Sequence, residues 1–91
     1  MRANVYFTRE ITPEKVVELY RALGVELPGK VAVKVHSGEK GNQNFLRPEF
    51  WCPMVEEVHG TIVECNTAYG DAAGGVRDHT ESHRKLLQEH G

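Results

Sequence analysis

Along this chain, short β-prone apolar runs give way repeatedly to stripes at helical spacing, and each change of period marks an element. Asn4-Val5-Tyr6-Phe7 predicts a strand over residues 4–8. Thr12, Pro13 and Glu14 then supply an N-cap, a first-turn proline and a first-turn acid. They open a helix over 13–23, in which Val16, Leu19, Tyr20 and Leu23 share one face and Gly24 provides the stop. After the turn Leu27-Pro28-Gly29, the run Lys30 to Val35 is rich in β-branched residues and predicts a buried strand over 30–36. Pro48 and Pro53 bracket the start of a second helix over 48–59, carried by Met54, Val55 and Val58 and closed by Gly60. Pro53 is its expected first position, because an interior proline removes a hydrogen bond and clashes with the preceding turn. Thr61 to Asn66 is the third strand, and a last helix over 79–89 is capped by Asp78 or Thr80.

Strands alternating with helices imply an α/β fold: a small three-layer domain of about three parallel strands and three helices, joined by right-handed crossovers. In open parallel sheets ligands bind at the carboxyl ends of the strands. Two unusual loops leave from such ends. One is the polar stretch Ser37 to Asn44, longer than most such connections, and the other is the small-residue stretch Gly70 to Gly75. Both therefore belong to one edge.

Ninety-one residues make one domain of modest core. Its 40% apolar and 26% charged content is that of an ordinary globular chain. A formal charge of -2 with interspersed signs argues against nucleic acid as a partner. No run approaches a membrane span and the chain opens without a signal peptide, so no membrane partner and a cytoplasmic location are expected. Cys52 and Cys65 are too few and too far apart to hold a zinc ion or a cluster by themselves, and both are expected as buried small residues.

The chemistry-bearing residues gather around the two loops. His36 closes the second strand, with Glu39 three residues on. An imidazole and a carboxylate there serve as base and orienter or as metal ligands, against a plain reading of backbone-bonded histidine and solvated glutamate. Asn42, Gln43 and Asn44, followed by Arg47, place amides and a guanidinium before a helix start, which suits a carboxylate or phosphate. Gly70 and Gly75 have phosphate-loop spacing, but Val76 and Arg77 stand where lysine and a hydroxyl residue belong, so that reading fails. His79 and His83 lie four apart without the glutamate of a zinc-protease motif. His83, Leu86, Leu87 and His90 form one helical stripe, expected as packing surface. Phe45, Phe50 and Trp51 are expected to fill the core.

The block from Val31 through His36, Glu39 and Asn42 to Asn44, Arg47, Pro48 and Phe50 resembles a widespread prokaryotic family of unknown function, labelled uncharacterised iron-sulfur center proteins. The resemblance resumes at Glu64 to Gly70 and in the pattern of Thr80, His83, His90 and Gly91. It implies the amino-terminal part of a longer protein, with a 4Fe-4S module and its cysteines downstream as the partner of this part. Carried over by position, it marks His36, Glu39, Asn44, Arg47, Asn66, Thr67, Tyr69, His83 and His90 as ligand-site candidates without assigning their roles; His36 and Glu39 are metal candidates on their own chemistry. The expected function is a polar carboxyl edge that binds a small anion or metal. The alternatives are a stand-alone metal-dependent enzyme domain or an interaction fragment without a site. An incomplete sheet also predicts self-association through an exposed edge.

Overall fold

The protein is described by a computed structural model covering residues 2–70 and 75–91. Among the described residues, three helices and a two-stranded parallel sheet alternate as α1 (Pro13–Leu23), β1 (Ala32–Lys34), α2 (Pro48–Glu57), β2 (Thr61–Val63) and α3 (Thr80–Glu89). The fold is mixed α/β. Among the described residues there are two strands where three were expected, because residues 4–8 run without ladder bonds.

Local chemistry explains α1 most completely. Thr12 adopts extended backbone and its Oγ1 accepts from the Lys15 amide at 3.2 Å. Pro13 loses nothing at a position with no intrahelical partner. Gly24 then turns left-handed at φ 64°, and its N–H donates to the Arg21 carbonyl. The other helices depart from expectation. In α2, Pro48 is the first helical residue and Pro53 lies inside the helix, where it deprives the Glu49 carbonyl of a donor. The left-handed turn after α2 falls on His59, at φ 49°, one residue before Gly60. His79, without a side-chain cap bond, is the N-cap of α3 in place of Asp78 or Thr80.

In the sheet, Ala32, Val33 and Lys34 face Thr61, Ile62 and Val63 in parallel register. Bonds from Thr61 N to Val31 O and from Val35 N to Val63 O extend the ladder one step at each end. Val33 and Val35 point to the side of α1 and α2, where they share a hollow with Val16, Phe50, Trp51 and Met54. Arg21 ties the two helices together through a bidentate pair with Glu57, both contacts at 2.7 Å. On the other side of the sheet Ala32, Lys34, Thr61 and Val63 are exposed. Helices on both faces, as a three-layer domain requires, are therefore not seen among the described residues.

Burial is thin. Among the described residues Val17 and Leu86 are the buried apolar ones, while Phe45, Phe50 and Trp51 are only half-buried. Cys52 is half-buried and Cys65 exposed, contrary to the expectation that both would be interior, and both are free thiols. Among the described residues no helix is long and apolar enough to cross a membrane.

Candidate functional site

Backbone direction brings the segments after β1 and β2 to one rim, and α3 closes against both. Ser37 lies three residues beyond β1, Glu64 directly follows β2, and Arg77 precedes α3. All three are interior polar groups, so each must find partners or be penalised for lost hydration.

Arg77, 5% exposed, is the hub. Its Nε donates to Glu39 Oε2 at 3.0 Å and its Nη2 to the Tyr69 hydroxyl at 2.8 Å. Nη1 lies 3.8 Å from Glu64 Oε2. Glu39 also accepts the amides of Lys40 at 3.0 Å and Val76 at 3.1 Å. Burial works against its ionisation, yet those two amides and the guanidinium prevail and hold its carboxyl at about 2. Glu64 is held at about 2 in the same way. Burial opposes the charge, and the Lys34 ammonium with the Ser37 and Cys65 amides outweighs it. Burial lowers and the Glu39 and Tyr69 bonds raise the pKa of Arg77, with a net rise.

A second chain of bonds joins the rim to α3. Asn66 Nδ2 donates to Thr80 Oγ1 at 3.1 Å, which leaves Oδ1 facing His83 Nδ1 at 3.1 Å. That nitrogen donates, so in the neutral ring Nε2 accepts, and Ser37 Oγ stands 3.0 Å away. The Ser37 hydroxyl also lies 3.2 Å from Glu64 Oε2, and its amide donates to the same oxygen at 3.0 Å. At the far end of α3, His90 Nδ1 donates to the Ser37 carbonyl at 2.7 Å. The His90 ring stacks on Phe45 at 4.3 Å, and the Arg47 guanidinium covers Phe45 4.1 Å from its centre. Among the described residues, no buried side-chain nitrogen or oxygen lacks a partner.

The candidates thus divide into two sets. Glu39, Asn66, Tyr69, His83 and His90 are joined in these networks. Thr67 supports them by donating its amide to Arg77 O and its hydroxyl to Tyr69 O. His36, Asn44 and Arg47 are exposed on the loop after β1. His36 Nδ1 accepts the Gly38 amide at 3.1 Å and Arg47 donates to Gln43 Oε1 at 2.8 Å, so neither is tied to the buried hub. His36 and Glu39, offered together as metal ligands, are bonded to different partners. Among the described residues no three histidine, cysteine, aspartate or glutamate side chains gather as a metal cage.

Reading by motif overlooked Ser37, Glu64 and Lys34 and named Arg77 only in rejecting a phosphate loop. A signal for Glu64 was present: a lone acid directly after the apolar run Thr61-Ile62-Val63, beside a strand ending in Lys34. The small-residue loop Gly70 to Gly75 falls largely on residues 71–74, outside the described residues. Comparison of the chain with protein-family models, with curated proteins and with solved structures finds no match.

Proposed function

We propose that this chain is the amino-terminal α/β segment of an iron-sulfur-center-type protein and that its carboxyl rim binds a small anionic ligand. One observation carries the reading: the loops after β1 and β2 are locked into a single rim by the Glu39–Arg77 and Ser37–His83 bonds. Locking of this kind preorganises the groups that remain free, which lowers the cost of ordering them on binding. Beside the lock, His36, Asn44 and Arg47 stand exposed on the loop after β1, with His36 and Arg47 steadied by bonds to Gly38 and Gln43. An anion is favoured over a metal by the occupation of the ligand atoms. Glu39 accepts from Lys40, Val76 and Arg77, and His36 Nδ1 accepts from Gly38.

In the whole protein the sheet gains residues 4–8 as a third strand along the free edge of β1. Two features support this order. Both helices meet the face that bears Val33 and Val35, as successive right-handed crossovers in one direction require. Exposure alternates along the segment, with Tyr6 at 45% between Val5 at 89% and Phe7 at 79%, as in a strand with one covered face. The downstream iron-sulfur module then covers the bare sheet face and completes three layers.

Titration of the chain with inorganic phosphate, zinc and ferrous iron, followed by amide shifts, tests the rim. Phosphate is expected to move residues 36–47 together with the rim residues 66–70 and 75–79, and the His36→Ala variant to lose the response. Shifts with metal alone, or none in either loop, would overturn the reading. Four clustered cysteines encoded downstream are the expected finding for the redox part, which falls without them.

A further inference from the structure

Beside the rim lies a cavity of about 500 Å³, within the range of small-molecule pockets. Its apolar walls come from three elements: Leu46 and Trp51 from the α2 side, Leu87 from α3, and Val35 and Ile62 from the sheet. Leu46, Ile62 and Leu87 remain exposed, so these walls are not closed by the chain itself. The polar groups in the lining are few, with Arg84 their one guanidinium. Arg84, Gln88, Ser37, His36 and His90 are present, and among the described residues no aspartate or glutamate side chain is. That selection is notable in a chain with more acids than bases.

The hydrogen bonds already made determine what each group can still offer. His36 Nδ1 accepts the Gly38 amide, so its Nε2 is the protonated nitrogen of the neutral ring and a donor. His90 donates through Nδ1 to Ser37 O, so its Nε2 is free. Among the described residues Arg84 has no carboxylate within ion-pair distance, although Lys85 beside it pairs with Glu81. A guanidinium so placed recognises a carboxylate or phosphate. The stack of Arg47 on Phe45 on His90 holds one margin of the cavity in place.

We propose that this cavity holds an organic anion with an apolar body, its carboxylate or phosphate facing Arg84 and His36 and its body against Trp51, Leu46 and Leu87. The proposal rests on the anion-binding rim and specifies the ligand class that the rim serves. A short inorganic anion leaves the apolar walls unused, and a neutral apolar molecule leaves Arg84 unanswered.

Trp51 is the single tryptophan of the chain and lines the cavity, so its fluorescence reports occupancy. The full chain is titrated with phenylacetate, phenyl phosphate, acetate, inorganic phosphate and the neutral phenylacetamide. Saturable change with one of the two aromatic anions is expected, with at least tenfold weaker response to acetate, inorganic phosphate and phenylacetamide. Arg84→Gln, at an exposed position, is expected to weaken the aromatic anion about tenfold with an unchanged circular dichroism spectrum. Leu87→Asp is expected to abolish binding. Equal responses to phenylacetamide and phenylacetate, or unaltered affinity in Arg84→Gln, would overturn the proposal. If inorganic phosphate moves the amides of 36–47 while aromatic anions leave Trp51 unmoved, the rim reading stands and this one falls. Apolar anions that bind without any inorganic phosphate effect leave the cavity standing and remove the rim as a separate anion site.

Discussion

Arg77 sits between two carboxylates and is the cation of one of them, Glu39, so its loss is expected to be costly. Arg77→Met would leave Glu39 interior without its cation and remove a longer contact to Glu64, which keeps Lys34, at a cost of about 3 kcal/mol. Adding Glu39→Gln to that variant should recover part of the loss, which a double-mutant cycle in urea would measure. The same carboxylates set the response to acid. Both have folded-state pKa values near 2, below the unfolded carboxylate value. Their contribution is therefore complete above about pH 4.5 and is lost as pH falls through 4 towards 2, on the order of 2 to 3 kcal/mol each. Urea midpoints measured from pH 7 to pH 2 should fall in that window, and the fall should be shallower in Glu39→Gln. Gly38 carries a separate constraint. It sits at φ 80°, and an added Cβ would lie 2.5 Å from Phe45 Cδ1. Gly38→Ala should cost at least about 2 kcal/mol from left-handed strain and overlap together. Among single residues, His36, Arg47 and the histidine stripe could be found from spacing alone. Arg77 and Glu64 could not be ranked, because their significance comes from burial beside each other, and burial is decided by packing between segments distant in the chain.

Elements with complete local signals were readable, and those without were not. Helix α1 occupies the expected residues 13–23, since cap, first-turn proline and terminal glycine all act within the element. The strands are shorter than the expected 30–36 and 61–66, because a strand extends only as far as a neighbour supplies ladder partners. Residues 4–8 make the point most sharply: their β propensity is evident, but among the described residues no backbone partner meets them. Helix α2 shows the opposite failure, in which tertiary packing keeps a helix running through a residue that would stop it in isolation. Pro53→Ala restores a donor to the Glu49 carbonyl and removes a steric clash inside α2. The greater freedom of the unfolded alanine chain offsets part of this gain. A net stabilisation on the order of 1 kcal/mol is expected, and a urea midpoint lower than that of the parent would show that Pro53 packs more usefully than it disrupts.

At the scale of the whole molecule, surface area outruns mass. The chain exposes 7194 Å², whereas folded monomers of its mass expose about 5300 Å². Its radius of gyration is 15.9 Å, against about 12 Å for a compact chain of this length. Part of the excess lies on residues that water solvates poorly: Val5 is 89% exposed, Phe7 79% and Ile11 84%. An open parallel pair adds unpaired ladder groups along both edges, and two strands alone are marginal in water. The excess of about 1900 Å² exceeds the roughly 800 Å² that each partner contributes to a standard interface. Copies of this chain should therefore bury this surface against one another. Sedimentation velocity from 10 to 500 µM is expected to show a weight-average mass that rises with concentration. Phe7→Lys, which places a charge on the exposed segment without touching the rim, should lower that rise while leaving the phosphate response of residues 36–47 intact. A chain that stays strictly monomeric across the range would mean that the exposed segment folds back on its own sheet, and protected amides at Val5 and Phe7 would then mark where it goes.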